Sequence, residues 1–227
     1  MSNQRYIKGF PLIKFKSEEL IKSLQSGKIY LNNLKWFREY ENDAGDVVVG
    51  DSFEAMLHVN EATFIQPESG ERIELSDCLI PTIESNSYVF CMTYITPRVE
   101  FFQFDEQQKC EFKNFGDTAL IILDSEKFIN LIREAAKKKG YEIYISVVNY
   151  YDETTDSANI WFSLMQGTHN IAFWKRKAYS YQQELRILIP GSDLTDDHLE
   201  LDIGDISDIS TMLSTDEVLA MKIEKVR

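Results

Sequence analysis

The sequence predicts a single α+β domain over residues 1–227, with a mixed, mostly antiparallel sheet and a few flanking helices. Segments with strand character outnumber helical ones and do not alternate regularly with them, which argues against a doubly wound parallel sheet. No repeat, low-complexity tract or Pro/Ser-rich linker divides the chain. Hydrophobic residues make up 44% of the 227, enough for one substantial core.

Two amphipathic helices are predicted from periodicity and capping. Ser17 is placed as the N-cap of the first helix, and Gly27 ends it. The second begins at Asp124 or Ser125 and continues to Gly140, where Lys137-Lys138-Lys139 suits the negative end of the helix dipole. A short aromatic helix or turn is expected over 34–40, after a turn at Asn32 and Asn33.

Strands are predicted from alternation and from short apolar runs. The run 88–95 is strongly apolar and is expected to be central, and residues 65–75 are expected to form a hairpin. Residues 41–52 and 150–158 are predicted as polar loops. The apolar segments 160–162 and 171–174 are expected to bracket a connection that contains Gly167 and His169. The predicted strands are 11–15, 28–31, 53–64, 88–95, 118–123, 141–148, 184–190, 199–203 and 219–225.

Charge and cysteine content narrow the classes of function. The net charge of −13 repels phosphate backbones, so duplex nucleic acid is an unfavourable partner unless a local patch such as Lys175-Arg176-Lys177 binds it. Three widely spaced cysteines predict reduced thiols in a cytoplasmic protein. The sequence also lacks a signal-peptide pattern, a long apolar run, a zinc-ligand pattern and the common nucleotide-binding glycine motifs. We therefore expect a soluble protein with no membrane partner and no metal.

The segment 179–189 is the strongest candidate for a site. On a strand, Glu184, Arg186 and Leu188 share one face, so the carboxylate and the guanidinium are neighbours. In a cleft, Arg186 could bind a phosphate and Glu184 a ribose hydroxyl or a proton. The alternative, favoured on the residues alone, is a solvated ion pair on an edge strand.

Two weaker candidates are also present. Asp43, Asp46, Asp51 and Glu54 offer oxygen ligands for Ca²⁺ or Mg²⁺, although a plain solvated loop is the favoured interpretation. Cys91 with His169 could form a nucleophile and base. Because Cys91 lies in the most apolar strand, a small packed hydrophobe is the better interpretation.

Three segments resemble, in order, a family of bacterial and phage proteins catalogued as domain of unknown function 2971. The first is Ser26–Asn33 followed by Gly50-Asp-Ser-Phe-Glu54, similar to a strand and an N-D-P-F-E segment. The second is Val89-Phe-Cys-Met-Thr93. The third is Lys177 through Arg186, similar to a K…W-x-Y-E-x-E-W-R run, although Gln182 and Leu185 depart from it.

The resemblance implies a defence or toxin protein that acts on or binds a nucleotide such as NAD, similar to ADP-ribosyltransferases or NAD glycohydrolases. Glu184 would stabilise the positive charge that develops at the ribose, with Tyr181 as its catalytic companion. No cofactor would be required, since NAD would enter as substrate. The implied ligand-binding residues are Arg186, Lys177, Tyr30, Trp36, Arg38 and Glu54.

Two other classes of function stay open. A non-enzymatic acidic protein, acting as an inhibitor, adaptor or ligand sensor, would engage a basic protein partner by charge. A nuclease-like effector is the least favoured, because it needs a metal cluster that this sequence does not assemble.

Overall fold

The computed structural model describes residues 9–44, 50–81, 86–96, 101–152, 157–191 and 197–224. The α-helices of this part of the chain are α1 (Glu18–Gln25), α2 (Leu34–Ala44), α3 (Glu106–Phe112), α4 (Ser125–Lys138), α5 (Ser157–Gln166) and α6 (Thr215–Leu219). Short 3-10 helices span Lys113–Phe115, Thr168–Phe173 and Lys177–Gln182. The strands are β1 (Leu12–Lys16), β2 (Lys28–Asn33), β3 (Met56–Ile65), β4 (Arg72–Pro81), β5 (Tyr88–Tyr94), β6 (Phe101–Gln103), β7 (Thr118–Ile122), β8 (Tyr144–Val147), β9 (Asn149–Tyr151), β10 (Trp174–Arg176), β11 (Glu184–Ile189), β12 (His198–Asp202), β13 (Ser210–Ser214) and β14 (Lys222–Glu224).

Eight of these strands form one antiparallel sheet, which confirms the predicted α+β class. Its main path runs β12-β2-β5-β1-β7-β13, and β11 joins β5 to β8. Three two-stranded sheets accompany it: the β3–β4 hairpin, the β6–β14 pair and the parallel β9–β10 pair. The strand predicted to be central, β5, is the one that three other strands contact.

The large sheet forks at β5. One edge of β5 pairs with β11 from Tyr88 to Thr93. A strand has only two edges, so β2 and β1 share the other. β2 pairs there only at Tyr88 and Val89, and β1 only at Thr93 and Tyr94. A gap therefore opens between β1 and β2 beside the middle of β5.

The main core lies under one face of this sheet. Alternate residues of β5 and β11 point to it and pack against α1 and α4, as period-two strands and an amphipathic helix predict. The central members are Tyr88, Phe90, Met92, Leu185, Ile187, Ile189, Ile21, Leu24, Phe128 and Ile132. Ser17 lies at the predicted N-cap position of α1, and Asp124 caps α4 by accepting from the backbone N–H of Lys127.

The opposite face carries the residues of the candidate site. Glu184, Arg186 and Leu188 point there, as predicted, in register with Thr93, Cys91 and Val89 of β5. Leu188 and Val89 join a second cluster with residues of α5 and of the 3-10 helix Thr168–Phe173. β11 is bordered by β5 and β8, so the prediction of a solvated pair on an edge strand is wrong.

Other predicted boundaries differ from the structure for tertiary reasons. β2 continues through Asn32 and Asn33 because both pair with β5, and α2 extends to Ala44, into the predicted loop 41–52. The expected strand 141–148 shortens to Tyr144–Val147, the part that β11 pairs with. The segment 219–225 divides into the end of α6 and the short β14.

The apolar segment 160–162, predicted to precede a connection, lies within a helix that continues into that connection. α5 occupies Ser157–Gln166, and its apolar residues include the buried Ile160. The 65–75 hairpin is confirmed by the β3–β4 register, and Gly140 follows α4 with a positive φ. Among the described helices, none is long and apolar enough to cross a membrane.

Candidate ligand-binding cleft

A cleft of about 570 Å³ occupies the gap between β1 and β2. Lys14 and Lys16 of β1 line one side, and Lys28 and Tyr30 of β2 line the other. Residues of α1 and the middle of β5 contribute apolar surface between them. The cleft is thus a direct consequence of the fork, because two strands that paired with each other would close it.

The cleft carries the opposite charge balance from the chain as a whole. Its lining includes five cationic side chains, Lys14, Lys16, Lys28, Lys175 and Arg186, and two carboxylates, Glu184 and Glu200. The net charge of the full chain is −13. Concentrating cations in a concave site raises the local potential and favours an anionic ligand.

Lys14 lies where the gap between β1 and β2 meets the middle of β5, a position that we call the apex of the fork. Its Nζ donates a hydrogen bond of 2.6 Å to the carbonyl oxygen of Cys91, on the edge of β5 that β1 and β2 leave open. The same Nζ lies 4.8 Å from the centre of the Phe90 ring. Burial, reinforced by the nearby charge of Lys16, lowers the pKa of Lys14 to about 8.

Two aromatic side chains among the predicted ligand-binding residues, Tyr30 and Trp36, also line the cleft. Tyr30 is 48% exposed and stacks on His198 with ring centres 4.5 Å apart. Trp36, from the first turns of α2, stacks on Tyr40 at 4.7 Å. Flat rings at the border of a cation-rich cleft are suited to bind an aromatic group of a ligand.

The buried end of the cleft is a network of ion pairs. The Nε of Arg186 donates to Glu184 Oε2 at 2.8 Å, and its Nη1 and Nη2 donate to the two oxygens of Glu54 at 2.5 and 2.9 Å. Arg186 Nη1 also donates to the carbonyl of Ala172. Lys175 Nζ donates to the other oxygen of Glu184 at 3.0 Å and to Gln182 Oε1 at 2.7 Å.

Each charge in this network depends on its partner to remain ionised. Burial alone would raise the pKa of Glu184, but Arg186 and Lys175 hold it at about 2. Burial would lower the pKa of Lys175, and Glu184 and Glu54 raise it instead. Glu184 is therefore ionised at neutral pH and lies beside two cationic side chains, Lys175 and Arg186.

Local backbone geometry places Glu184 and Gln182 together. The 3-10 helix Lys177–Gln182 ends at Gln183, whose φ of 46° is in the left-handed region. That residue connects the 3-10 helix to β11, and the side chains of Gln182 and Glu184 on either side of it both accept from Lys175 Nζ. Gln182, which departs from the family-like motif, also donates through Nε2 to the Tyr181 hydroxyl.

The structure brings together four of the predicted site residues and places four elsewhere. Glu184, Arg186, Tyr30 and Trp36 line the cleft, and their predicted contact with a ligand stays a prediction. The other four, Glu54, Arg38, Tyr181 and Lys177, do not line it.

These four have identifiable surroundings. Glu54 lies behind the cleft as the partner of Arg186, and Arg38 donates to the Glu54 carbonyl oxygen. Tyr181 packs near Phe112 with ring centres 6.2 Å apart, and Lys177 is exposed. Their predicted catalytic or binding roles stay predictions.

The basic run 175–177 does not form a surface patch. Lys175 is buried against Glu184. Arg176 pairs with the buried Asp51 at 2.7 Å and lies 4.4 Å from the Phe53 ring. Since neighbouring residues of a strand point to opposite sides, a run of three cations divides between different environments. The local basic patch that the sequence left open at 175–177 is therefore not present.

The two weaker candidates also look different in the structure. Asp51 and Glu54 pair with arginines, so they are not part of a solvated loop; the side chains of Asp43 and Asp46 lie outside the described residues. Burial and the charge of Glu184 raise the pKa of Cys91 to about 11, which is the reverse of an activated nucleophile. His169 stacks on Tyr144, with ring centres 3.9 Å apart.

The residues that the sequence did not single out are Lys14, Lys16 and Lys28. Lys14 and Lys16 alternate with the buried Ile13 and Phe15. Lysines at alternate positions of an apolar strand are most often a solvated face, so the pattern alone does not indicate a cleft. The fork that brings β1 opposite β2 across a cleft is a long-range feature.

The fold and the cleft define an α+β protein with a ligand-sized, cation-rich site at the fork of an antiparallel sheet. Comparison with known proteins adds no relative: no protein-family model, no curated protein and no solved structure matches the chain. The resemblance to domain of unknown function 2971 therefore stays a prediction from the quoted motifs.

Proposed function

We propose that this protein binds a small anionic molecule with an aromatic ring, of the nucleotide class, in the cleft between β1 and β2. The observation that carries the proposal is the concentration of cationic side chains in the cleft of a chain whose net charge is −13. Lys175 and Arg186 are paired with Glu184 and Glu54, so the excess of positive charge comes from Lys14, Lys16 and Lys28. A surface of this charge repels anions in general, so a local reversal of charge marks a site for one.

Two groups of side chains would contact different parts of the ligand. Lys16 and Lys28 extend from facing strands and would contact phosphate oxygens from two sides. Tyr30 and Trp36 would stack on the base. The volume of about 570 Å³ is within the usual range for small-molecule sites.

Arg186 contributes by holding the cleft wall in place. Its four hydrogen bonds to Glu184, Glu54 and Ala172 fix β11, the loop before β3 and the 3-10 helix Thr168–Phe173 to one another. The lysines at the open part of the cleft are therefore better placed than Arg186 to bind a phosphate.

Calorimetric titration tests the proposal directly, with adenosine, AMP, ADP, ADP-ribose and NAD as ligands. Affinity should rise with phosphate charge and fall with salt. Lys28→Glu should weaken ADP binding about tenfold, which corresponds to about 1.4 kcal/mol. Lys35→Glu is the matched control, because Lys35 is an exposed lysine of α2 paired with Glu39 outside the cleft. Equal affinity for adenosine and ADP, or an unchanged Lys28→Glu variant, would overturn the proposal.

A second candidate is the NAD-consuming reaction that the family resemblance implies. The observation in its favour is that Glu184 lines the cleft and stays ionised, as a carboxylate that stabilises an oxocarbenium-like ribose must. Release of nicotinamide from NAD, lost in Glu184→Gln, would support it. If NAD binds but no nicotinamide is released and nothing is transferred to a macromolecule, the NAD-consuming reaction is refuted and only the binding function remains.

The third function, an acidic protein that engages a basic protein partner, rests on the net charge of −13. It predicts a complex that weakens steeply with salt and that Lys28→Glu leaves unchanged or strengthens. The opposite response of Lys28→Glu separates it from nucleotide binding.

A further inference from the structure

We propose that Lys14 is a reactive amine that forms a covalent imine with an aldehyde-bearing ligand in the cleft. This inference deepens the proposed function, since it concerns the same site, and it names carbonyl compounds with an anionic group as a ligand class. The supporting geometry is that Lys14 lines the cleft and that its Nζ lies beside Cys91, in the middle of β5, where the gap between β1 and β2 opens.

The contacts of Lys14 leave it suited to react. Its Nζ donates to the Cys91 carbonyl and lies over the Phe90 ring. Among the described residues, no carboxylate lies within ion-pair distance of Nζ, in contrast to Lys175, which pairs with Glu184. A hydrogen bond to one carbonyl orients the amine but does not hold it charged as a carboxylate would.

The protonation of Lys14 is also favourable. Burial first and the charge of Lys16 second lower its pKa to about 8, although Cys91 and Glu184 act in the opposite direction. At pH 7.4 roughly a fifth of such amines are neutral, against about one in a thousand for an ordinary lysine. The neutral amine is the nucleophile in carbonyl chemistry.

The reaction is balanced without any further reactant. The lone pair of neutral Nζ attacks the carbonyl carbon and forms a carbinolamine. Both hydrogens of the amine then leave with the carbonyl oxygen as water, and a carbon–nitrogen double bond remains. Once protonated, the imine is a cation, and the Phe90 ring, 4.8 Å from Nζ, offers it a favourable face.

The surroundings predict which aldehydes react fastest. Lys16 and Lys28 on either side of the cleft attract a phosphate, and Tyr30 and Trp36 offer ring contacts. A ring aldehyde that carries a phosphate therefore satisfies the site better than the same ring without one. Pyridoxal 5′-phosphate and 5-deoxypyridoxal are a suitable pair of probes, because they differ in the phosphate.

The experiment is to incubate the full chain with each probe, reduce with borohydride and locate the modified lysine by peptide mass spectrometry. Labelling by pyridoxal 5′-phosphate should occur at Lys14 at least about tenfold faster than at any other lysine, and faster than by 5-deoxypyridoxal. The rate should rise with pH through about 8, the pKa of Lys14. Modification spread evenly over the lysines, or concentrated at Lys16 or Lys28, would overturn the inference.

Two variants give matched controls. Lys14→Arg keeps the charge and the hydrogen-bond donor but removes the nucleophile, so the dominant labelled peptide should disappear. Lys22→Arg changes an exposed lysine of α1 paired with Glu18 and should leave labelling at Lys14 unchanged. Because the site is mapped on the unaltered chain, the result stands even if Lys14→Arg fails to fold.

The outcome is distinguishable from failure of nucleotide binding. If ADP binds and Lys28→Glu weakens it, but Lys14 is not labelled, the reactive amine is refuted and the proposed function stands. If Lys14 is labelled selectively and no nucleotide binds, the proposed nucleotide binding is refuted and the reactive amine stands. Protection of Lys14 by ADP would show that both ligands occupy one cleft.

Discussion

Arg186 and Glu54, 132 residues apart in sequence, form a buried ion pair joined at both guanidinium Nη atoms, at 2.5 and 2.9 Å. Both side chains are almost fully buried. The pair connects β11 to the loop that precedes β3. Because Arg186 also binds Glu184, one guanidinium links the candidate cleft to the rest of the domain.

Breaking this pair on one side should destabilise the protein strongly. Glu54→Ala leaves a buried arginine with less compensation, so the free energy of unfolding should fall by about 3–5 kcal/mol. Urea denaturation followed by tryptophan fluorescence measures it. Glu39→Ala, in the exposed pair with Lys35, is the matched control and should change the free energy by less than about 1 kcal/mol. Equal effects of the two substitutions would contradict the structural role of the Arg186 pair.

The ionisation of Glu184 should make stability depend on pH in a defined range. Its folded pKa of about 2 is lower than its ordinary value of 4.5, so its contribution is present above pH 4.5 and is lost as pH falls through 2. That contribution is about 3 kcal/mol at neutral pH. In Glu184→Gln, unfolding free energy measured at a series of pH values should be flatter between pH 4.5 and 2. Glu200→Gln, at an exposed position of the cleft, should keep the slope of the unaltered chain.

Gly27 should not tolerate a side chain. Its φ is +101°, and a Cβ there would lie 2.1 Å from the backbone oxygen of Gly204. Gly27→Ala should therefore lower the thermal midpoint and cost about 3 kcal/mol or more, since both the dihedral angle and the close approach oppose it. Gly140→Ala tests the dihedral alone, because its φ is +76° but an added Cβ meets open space. It should cost only about 1 kcal/mol; a cost as large as that of Gly27→Ala would rule out the backbone clash as the cause.

The cysteines should differ in reactivity. At pH 8 the thiol of Cys91, with its pKa raised to about 11 by burial and Glu184, is a thiolate in only about one molecule in a thousand. Cys110, on the exposed surface of α3, should be alkylated by iodoacetamide first, and Cys91 only on unfolding. Mass spectrometry of the alkylated peptides over time measures the order. Early modification of Cys91 in the folded protein would contradict its assignment as a packed residue.

Local sequence patterns predicted the structure correctly where it depends on residues that are close together in the sequence. The apolar run of β5, the face that Glu184 shares with Arg186, the N-cap position of α1 and the Asp124 cap of α4 all follow from local periodicity and residue preferences. The predicted ends of helices and strands were wrong where pairing or packing with a distant segment decides whether a residue is helical, extended or in a loop. Asn33 continues β2 because Tyr88 pairs with it, and residues 157–166 form α5, whose apolar composition also suits a strand.

Among the site residues, the sequence identified Glu184, Arg186, Tyr30 and Trp36, which do line one cleft. It did not identify Lys14, because a lysine between two apolar residues of a strand is ordinary. It offered Lys175 as part of a candidate basic patch, because no local signal shows that Glu184 and Gln182 accept hydrogen bonds from its ammonium group in the interior.

The sequence by itself determined the α+β class, the central β5 and the two-residue alternation that puts Glu184 and Arg186 on one face. These properties depend on residues within one or two turns or strand repeats, where propensity and burial act locally. Only the tertiary structure decided that β1 and β2 share one edge of β5 and so leave a cleft between them. Strand partners are chosen by contacts across the whole chain, and the charges of such a cleft become neighbours only when those contacts form.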